Sequence, residues 1–168
     1  VVTFNGEIYN YLELRDDLIK KGHSFKTNGD GETIVHLYEE YGINCIEHLR
    51  GMFAFALHDK KHNTVYLVRD RMGEKPLYLF KKDNTITFSS ELRSLLSSKK
   101  VDLDLDPFAI DLFFHYHYIP EPYTAIKGVT KLPAANYLKI NLQSMQTDQV
   151  NYWQMENAKS IKKQKQIK

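Results

Sequence analysis

Apolar and polar positions alternate clearly in GMFAFALHD, residues 51–59, where Phe53, Phe55 and Leu57 fall on one side of an extended strand and Met52, Ala54 and Ala56 on the other. Both sides are apolar, so this strand is expected to be covered on both faces, and its alanine side lets a neighbouring layer come close. Helical spacing appears twice before it. In YLELRDDLIKKG, Tyr11, Leu14 and Leu18 share one face and Gly22 closes the helix. Asn10 stands at the N-cap position with Glu13 at N3, a capping-box arrangement. Over 31–41, Ile34, Leu37, Tyr38 and Tyr41 recur at i, i+3, i+4 and i+7, with Gly42 as the stop.

The rest of the chain is mainly strands in hairpin-like succession. VVTF reads as strand from the first residue, and TVYLVRD follows the turn residues DKKHN. Asp83-Asn84 separates PLYLF from TITFSS in a hairpin, ELRSLLSS is a short helix, and Asp106-Pro107 starts another with Asp as cap and Pro at N1. YIPEPYTAIKGVTKLPAA is a proline-punctuated connection, ANYLKINL a final strand, and QVNYWQ extended. The fold class is therefore α+β.

A length of 168 residues fits one domain with a real core. No apolar run is long enough for a membrane helix, and no signal-peptide pattern opens the chain. Five lysines crowd the last ten residues, KSIKKQKQIK, so the small formal charge of +2 hides a mildly acidic body. That basic tail, 154–168, lacks the arginines and interleaved aromatics of a nucleic-acid surface and reads as a solvated end. The lone cysteine, Cys45, excludes an internal disulfide and suggests a reducing, cytoplasmic setting; its apolar surroundings mark a buried structural thiol. The seven histidines are scattered, and no ligand set is recognisable, so no metal site is expected. Arg69 and Asp70, directly after a strand, read as a structural ion pair.

NGEIYN, residues 5–10, admits two readings. Asn-Gly is a common turn pair because both residues tolerate positive φ. The same pair also offers a side-chain amide and a closely approachable backbone N–H to a reacting carbonyl oxygen. Locally, Glu7 reads as a solvated turn acid and Asp30 as the N-cap of the second helix.

Several strings in unbroken order carry a family resemblance: NGEIYNYLELRDDL, DGET opening a helix, LRGMFAFALHD, VRDRMGEKPLYLF and FSSELRSLL. Together they resemble the glutaminase domain of class II glutamine amidotransferases, in particular that of glutamine-hydrolysing asparagine synthetases of the bacterial B type. The similarity covers residues 1–153. It implies an αββα sandwich of the N-terminal nucleophile hydrolases, here incomplete at its N-terminus. It also implies that a cysteine at the mature N-terminus attacks the carboxamide of L-glutamine, its own α-amino group serving as base. Ammonia would then pass to a C-terminal domain that uses ATP and magnesium to amidate aspartate or another carboxylate.

Carried over by position, Asn5 and Gly6 would form the oxyanion hole, and Glu7 and Asp30 would hold the substrate ammonium. The chain departs from the family pattern in having no cysteine at position 1 and no SGGxDS-like phosphate loop. It begins without Met inside a strand, which points to N-terminal truncation, and the resemblance implies an ATP-dependent domain missing after Trp153. The isolated chain is then expected to be inactive, with sheet edges left unpaired and prone to aggregation. Two alternatives stand beside this reading: a non-catalytic binding or assembly module derived from the domain, and a fragment of another class II amidotransferase.

Overall fold

The computed structural model describes residues 1–155. The basic tail expected over 154–168 lies outside the described residues apart from Gln154 and Met155. In chain order the elements are β1 (Val2–Ile8), α1 (Tyr11–Lys20), α2 (Asp30–Tyr41), a 3₁₀ helix (Gly42–Glu47), β2 (Gly51–Asp59), β3 (Thr64–Arg69), β4 (Tyr78–Lys82), β5 (Thr85–Ser89), α3 (Leu92–Ser97), α4 (Pro107–Tyr116), β6 (Val129–Lys131), β7 (Asn136–Asn141) and β8 (Thr147–Asn151). They form a five-stranded sheet, β1-β2-β3-β7-β8, and a three-stranded sheet, β5-β4-β6, both wholly antiparallel.

Alternation along β2 sets the layers. Phe53, Phe55 and Leu57 enter a core with Leu18, Ile34, Leu37, Cys45 and Ile46, under the α1–α2 layer. Ala54 and Ala56 face the other way and meet Leu77, Leu132 and Leu79 of the second sheet's side. The outer face of that sheet, with Tyr78, Phe80 and Val129, packs against Leu92, Leu95 and Leu96 of α3. Helices, sheet, sheet and helix thus stack in the αββα order, and the alanines of β2 keep the two sheets close.

The hairpin at Asp83-Asn84, the two-faced burial of β2 and the Asp106 cap occur as expected, Asp106 accepting from Phe108 N–H at 3.0 Å and Ala109 N–H at 3.3 Å. Cys45 is fully buried, and burial pushes its thiol up to about 12. Several local readings need correction. Asn5-Gly6-Glu7 is no turn or loop: it lies within β1, opposite Ala54, Phe53 and Met52, because pairing with β2 overrides local turn preference. The capping box does not form. Instead Asn10 donates to His48 O and accepts from Arg50 N–H, both at 3.0 Å, tying the start of α1 to the approach of β2. The connection 118–135 contains a strand, β6, too short for its alternation to register.

Arg69 and Asp70 are both structural, but they do not pair with each other. Arg69, only 3% exposed, makes a two-pronged ion pair with Glu121, both bonds at 2.9 Å, and donates to the carbonyls of Gly73, Lys75 and Leu132. Asp70 accepts from the backbone N–H groups of Phe53, Met72, Glu74 and Lys75 at 2.9–3.2 Å and so shapes the loop after β3. Arg69 is buried but Glu121 is 37% exposed, and without it Arg69 keeps its three carbonyl acceptors, so losing these charged hydrogen bonds costs about 1.5–3 kcal/mol. Glu121→Ala is therefore expected to lower unfolding free energy by about that amount in urea titrations, whereas Lys82→Ala, at an exposed ion pair with Asp102, should change it by less than about 1 kcal/mol.

Candidate active site

Strand β1 is an edge strand, hydrogen-bonded to β2 alone among the described residues. Its Val2, Phe4 and Ile8 pack under the helices, while Thr3, Asn5 and Glu7 are exposed on the opposite face. The ladder also decides where the backbone points. Phe53 directs its N–H to Asp70 Oδ2 (3.2 Å) and receives Asp70 N–H on its carbonyl (2.8 Å), so both groups face away from β1. In an antiparallel ladder the residue opposite then directs its own N–H and C=O outward. That residue is Gly6, and its N–H points out along the open edge. Two positions further, Ile8 N–H points the same way and is taken by Asp30 Oδ2 at 2.8 Å.

Two glycines allow β1 and β2 to approach here. Gly6 has φ +151°, and a Cβ on it would sit 2.1 Å from Met52 O; a Cβ on Gly51 would sit 2.1 Å from Glu7 O. The pair brackets Glu7 and Met52, which face each other between them. Asn5 lines a cleft of about 360 Å³ between the sheets, with Thr3, Ala54, Ala56, Phe88 and Glu91 among its walls. Gly6, Glu7 and Asp30 line a second cleft of about 330 Å³ with Tyr11, Asn28 and Gly29. The four residues singled out from sequence therefore divide, three around one cleft and Asn5 in the next, joined through the Asn5–Gly6 peptide. Asp30 is the first residue of α2, Gly29 being the N-cap, and its carboxylate reaches across to β1 rather than capping its own helix.

Glu32, which sequence reading passed over, fixes the loop that carries Asn28 and Gly29. It accepts from Lys26 N–H (2.7 Å), Thr27 N–H (2.7 Å) and the Thr27 hydroxyl (2.6 Å), and these bonds, the Lys26 N–H first, pull its carboxyl down to about 2. Tyr11 and Asn28 were likewise missed, having no signal apart from the fold. Gly51 was legible only as a strand glycine. Among the described residues, the one grouping of His and acidic side chains compact enough for a metal ion lies outside these clefts.

A family model described as a glutamine amidotransferase domain matches residues 1–153. The chain belongs to that family. Relatives of this amidotransferase domain include a putative glutamine-hydrolysing asparagine synthetase 2 of Methanocaldococcus jannaschii, 35% identical over 99% of this chain and 32% of that protein. Another is glutamine-hydrolysing asparagine synthetase 1 of Bacillus subtilis, 34% identical over 88% of this chain and 26% of that protein. The amidotransferase chain thus spans about a third or less of these curated relatives. Its fold is shared with the glutamine phosphoribosylpyrophosphate amidotransferase of B. subtilis, solved with ADP and GMP, at a TM-score of 0.62 and 17% identity over 93% of this chain and 30% of that one. A structure described as the allosteric regulatory enzyme of purine biosynthesis matches similarly, at 0.63 and 18% over 93% of this chain and 29% of that one.

Two outcomes follow from this geometry. Gly6→Ala is expected to destabilise the domain by more than about 1 kcal/mol, because a side chain meets backbone at a positive φ; denaturant unfolding reads it directly. Glu32 has a folded value below its ordinary one, so its stabilisation is complete above about pH 4.5 and fades as pH falls toward about 2. The stability difference between the parent and Glu32→Gln should accordingly be constant at neutral pH and shrink across that acid window.

Proposed function

We propose that this chain supplies the glutamine-holding part of a glutaminase site, in a protein that passes the released ammonia to an ATP-dependent amidating domain. The α-ammonium of L-glutamine lies between Glu7 and Asp30, which has one carboxylate oxygen left after binding Ile8 N–H. The side-chain carbonyl crosses to the β1 edge, where the Asn5 amide and Gly6 N–H receive the negative charge that develops on its oxygen. The outward direction of the Gly6 N–H carries this proposal: it is a donor at an open strand edge, bordering a cleft with two carboxylates.

The chemistry then divides between residues. A thiolate attacks the carboxamide carbon, the oxyanion forms against Asn5 and Gly6, ammonia departs with a proton, and water hydrolyses the thioester to glutamate. Cys45 does not supply that thiolate, being buried with its thiol pushed up to about 12. The nucleophile belongs to another part of the protein, and ATP and magnesium to the amidating domain, with aspartate as the acceptor suggested by the relatives' names. A free thiol suits the cytoplasm. No helix of the described residues is long and apolar enough to cross a membrane.

L-Glutamine titrated into the isotopically labelled chain is expected to shift the amide resonances of Gly6, Glu7, Asn28, Gly29 and Asp30. Glu7→Gln should weaken binding by about tenfold or more, the loss of a charge-assisted hydrogen bond. Shifts confined to other residues, or equal binding by Glu7→Gln, would overturn the assignment. In the complete natural protein, Asn5→Ala should lower kcat by about 10²–10³-fold.

A further inference from the structure

On the far side of the α1–α2 connection, three side chains from separate turns converge. His23 follows α1 directly, its backbone N–H bonded to Leu18 O at 3.0 Å. Its Nδ1 lies 3.1 Å from His36 Nδ1 on α2. Glu39, one helical turn beyond His36, places Oε2 3.1 Å from His36 Nδ1 and 3.4 Å from His23 Nδ1. Tetrahedral zinc with bonds of about 2.0–2.1 Å has ligand-to-ligand edges of about 3.3 Å. The triangle has the size of one face of such a shell. Both imidazoles are mostly buried, Phe25 packs on the His36 ring with centroids 4.4 Å apart, and the Glu39 side chain is exposed to solvent.

The outer nitrogens determine which atoms point inward. His23 Nε2 lies 2.9 Å from Glu40 Oε1, and Lys21 Nζ approaches the other oxygen of that carboxylate at 3.3 Å. A carboxylate oxygen accepts, so His23 carries a proton on Nε2 and, as a neutral ring, presents a lone pair at Nδ1. His36 Nε2 is buried with no hydrogen-bond partner, Glu32 Oε1 standing 3.5 Å away. Neither neutral form of His36 resolves this. With its proton on Nδ1, a buried lone pair faces Glu32; with it on Nε2, two imidazole lone pairs and a carboxylate oxygen meet with nothing between them.

We propose that His23, His36 and Glu39 bind a divalent transition-metal ion of the zinc class. The histidines ligate through Nδ1 and Glu39 through Oε2, with a water as fourth ligand. Glu40 then orients the His23 ring through its Nε2–H, the usual arrangement behind a histidine ligand, and Glu32 stands 3.5 Å behind the His36 ring. Three carboxylates against the Lys21 ammonium leave the excess negative charge a cation requires, and an imidazole–carboxylate set suits zinc, nickel or copper better than magnesium. The ion would tie the His23 turn to α2. Through Glu32 it would also bear on the Lys26–Thr27 backbone that precedes the glutamine cleft.

The chain is stripped with a chelator and titrated with Zn²⁺ by calorimetry, and with Co²⁺ by visible absorption. One ion per chain is expected, with tetrahedral Co²⁺ bands, a raised Tm, and ¹⁵N shifts at Nδ1 of His23 and His36 while both Nε2 protons persist. Glu40→Gln should weaken Zn²⁺ binding about 10- to 100-fold, and Glu39→Gln, at a solvent-facing position, by at least as much. Unchanged affinity in a folded His23→Gln/His36→Gln double variant would assign the ion to other histidines and overturn the site. So would failure of the chain to bind Zn²⁺ at all, leaving a proton shared between the rings.

Discussion

Burying both faces of one strand forces material onto both sides of it, and in this chain that strand is β2. Its phenylalanine side recruits the α1–α2 layer, and its alanine side admits the second sheet at close range. Each neighbour is registered against it. β1 takes its alternation, and so its exposed Asn5 and Glu7, from pairing with Met52 to Leu57. The loop after β3 takes its shape from Asp70, which is itself anchored on the Phe53 backbone. A slip of one residue in this ladder would exchange the core and cleft faces of β1 together.

The backbone direction at Gly6 follows from the same constraint. Asp70 satisfies Phe53 on one side of β2, and ladder alternation then leaves Gly6 facing outward on the other. A buried acid in a structural loop thereby positions the N–H that we propose receives the oxyanion, without touching it. Asp30 does comparable double service, one oxygen holding the end of β1 while the residue lines the cleft. Rigidity near such a site has physical value, since a donor helps only if it is aimed before charge develops.

Glu32 joins two regions that look separate along the chain. One oxygen grips the Thr27 backbone and hydroxyl, and the other lies between the Lys26 N–H and the His36 ring. The α1–α2 connection is therefore held by carboxylates on α2 as well as by Phe25, which packs against the core.

Local pattern alone settled a good deal: periodicity gave β2 as a two-faced strand and the apolar stripes of α1 and α2, and turn and cap residues gave the hairpin at Asp83-Asn84 and the Asp106 cap. These depend on spacings within a few residues, where side-chain direction is fixed by local geometry. For Asn5 and Gly6 the local sequence left a turn and a donor pair open, and the roles proposed for them, and for Glu7 and Asp30, rest on family resemblance. Tertiary structure decided the remainder, each time through partners distant in sequence. It made NGE part of a strand, gave Arg69 to Glu121 fifty-two residues away, turned Asn10 from a helix cap into a tether, and gathered His23, His36 and Glu39 around one point. Hydrogen bonds and ligand sets require two or three groups within a few ångströms, and a linear pattern carries no information on which distant residues the fold brings to that distance.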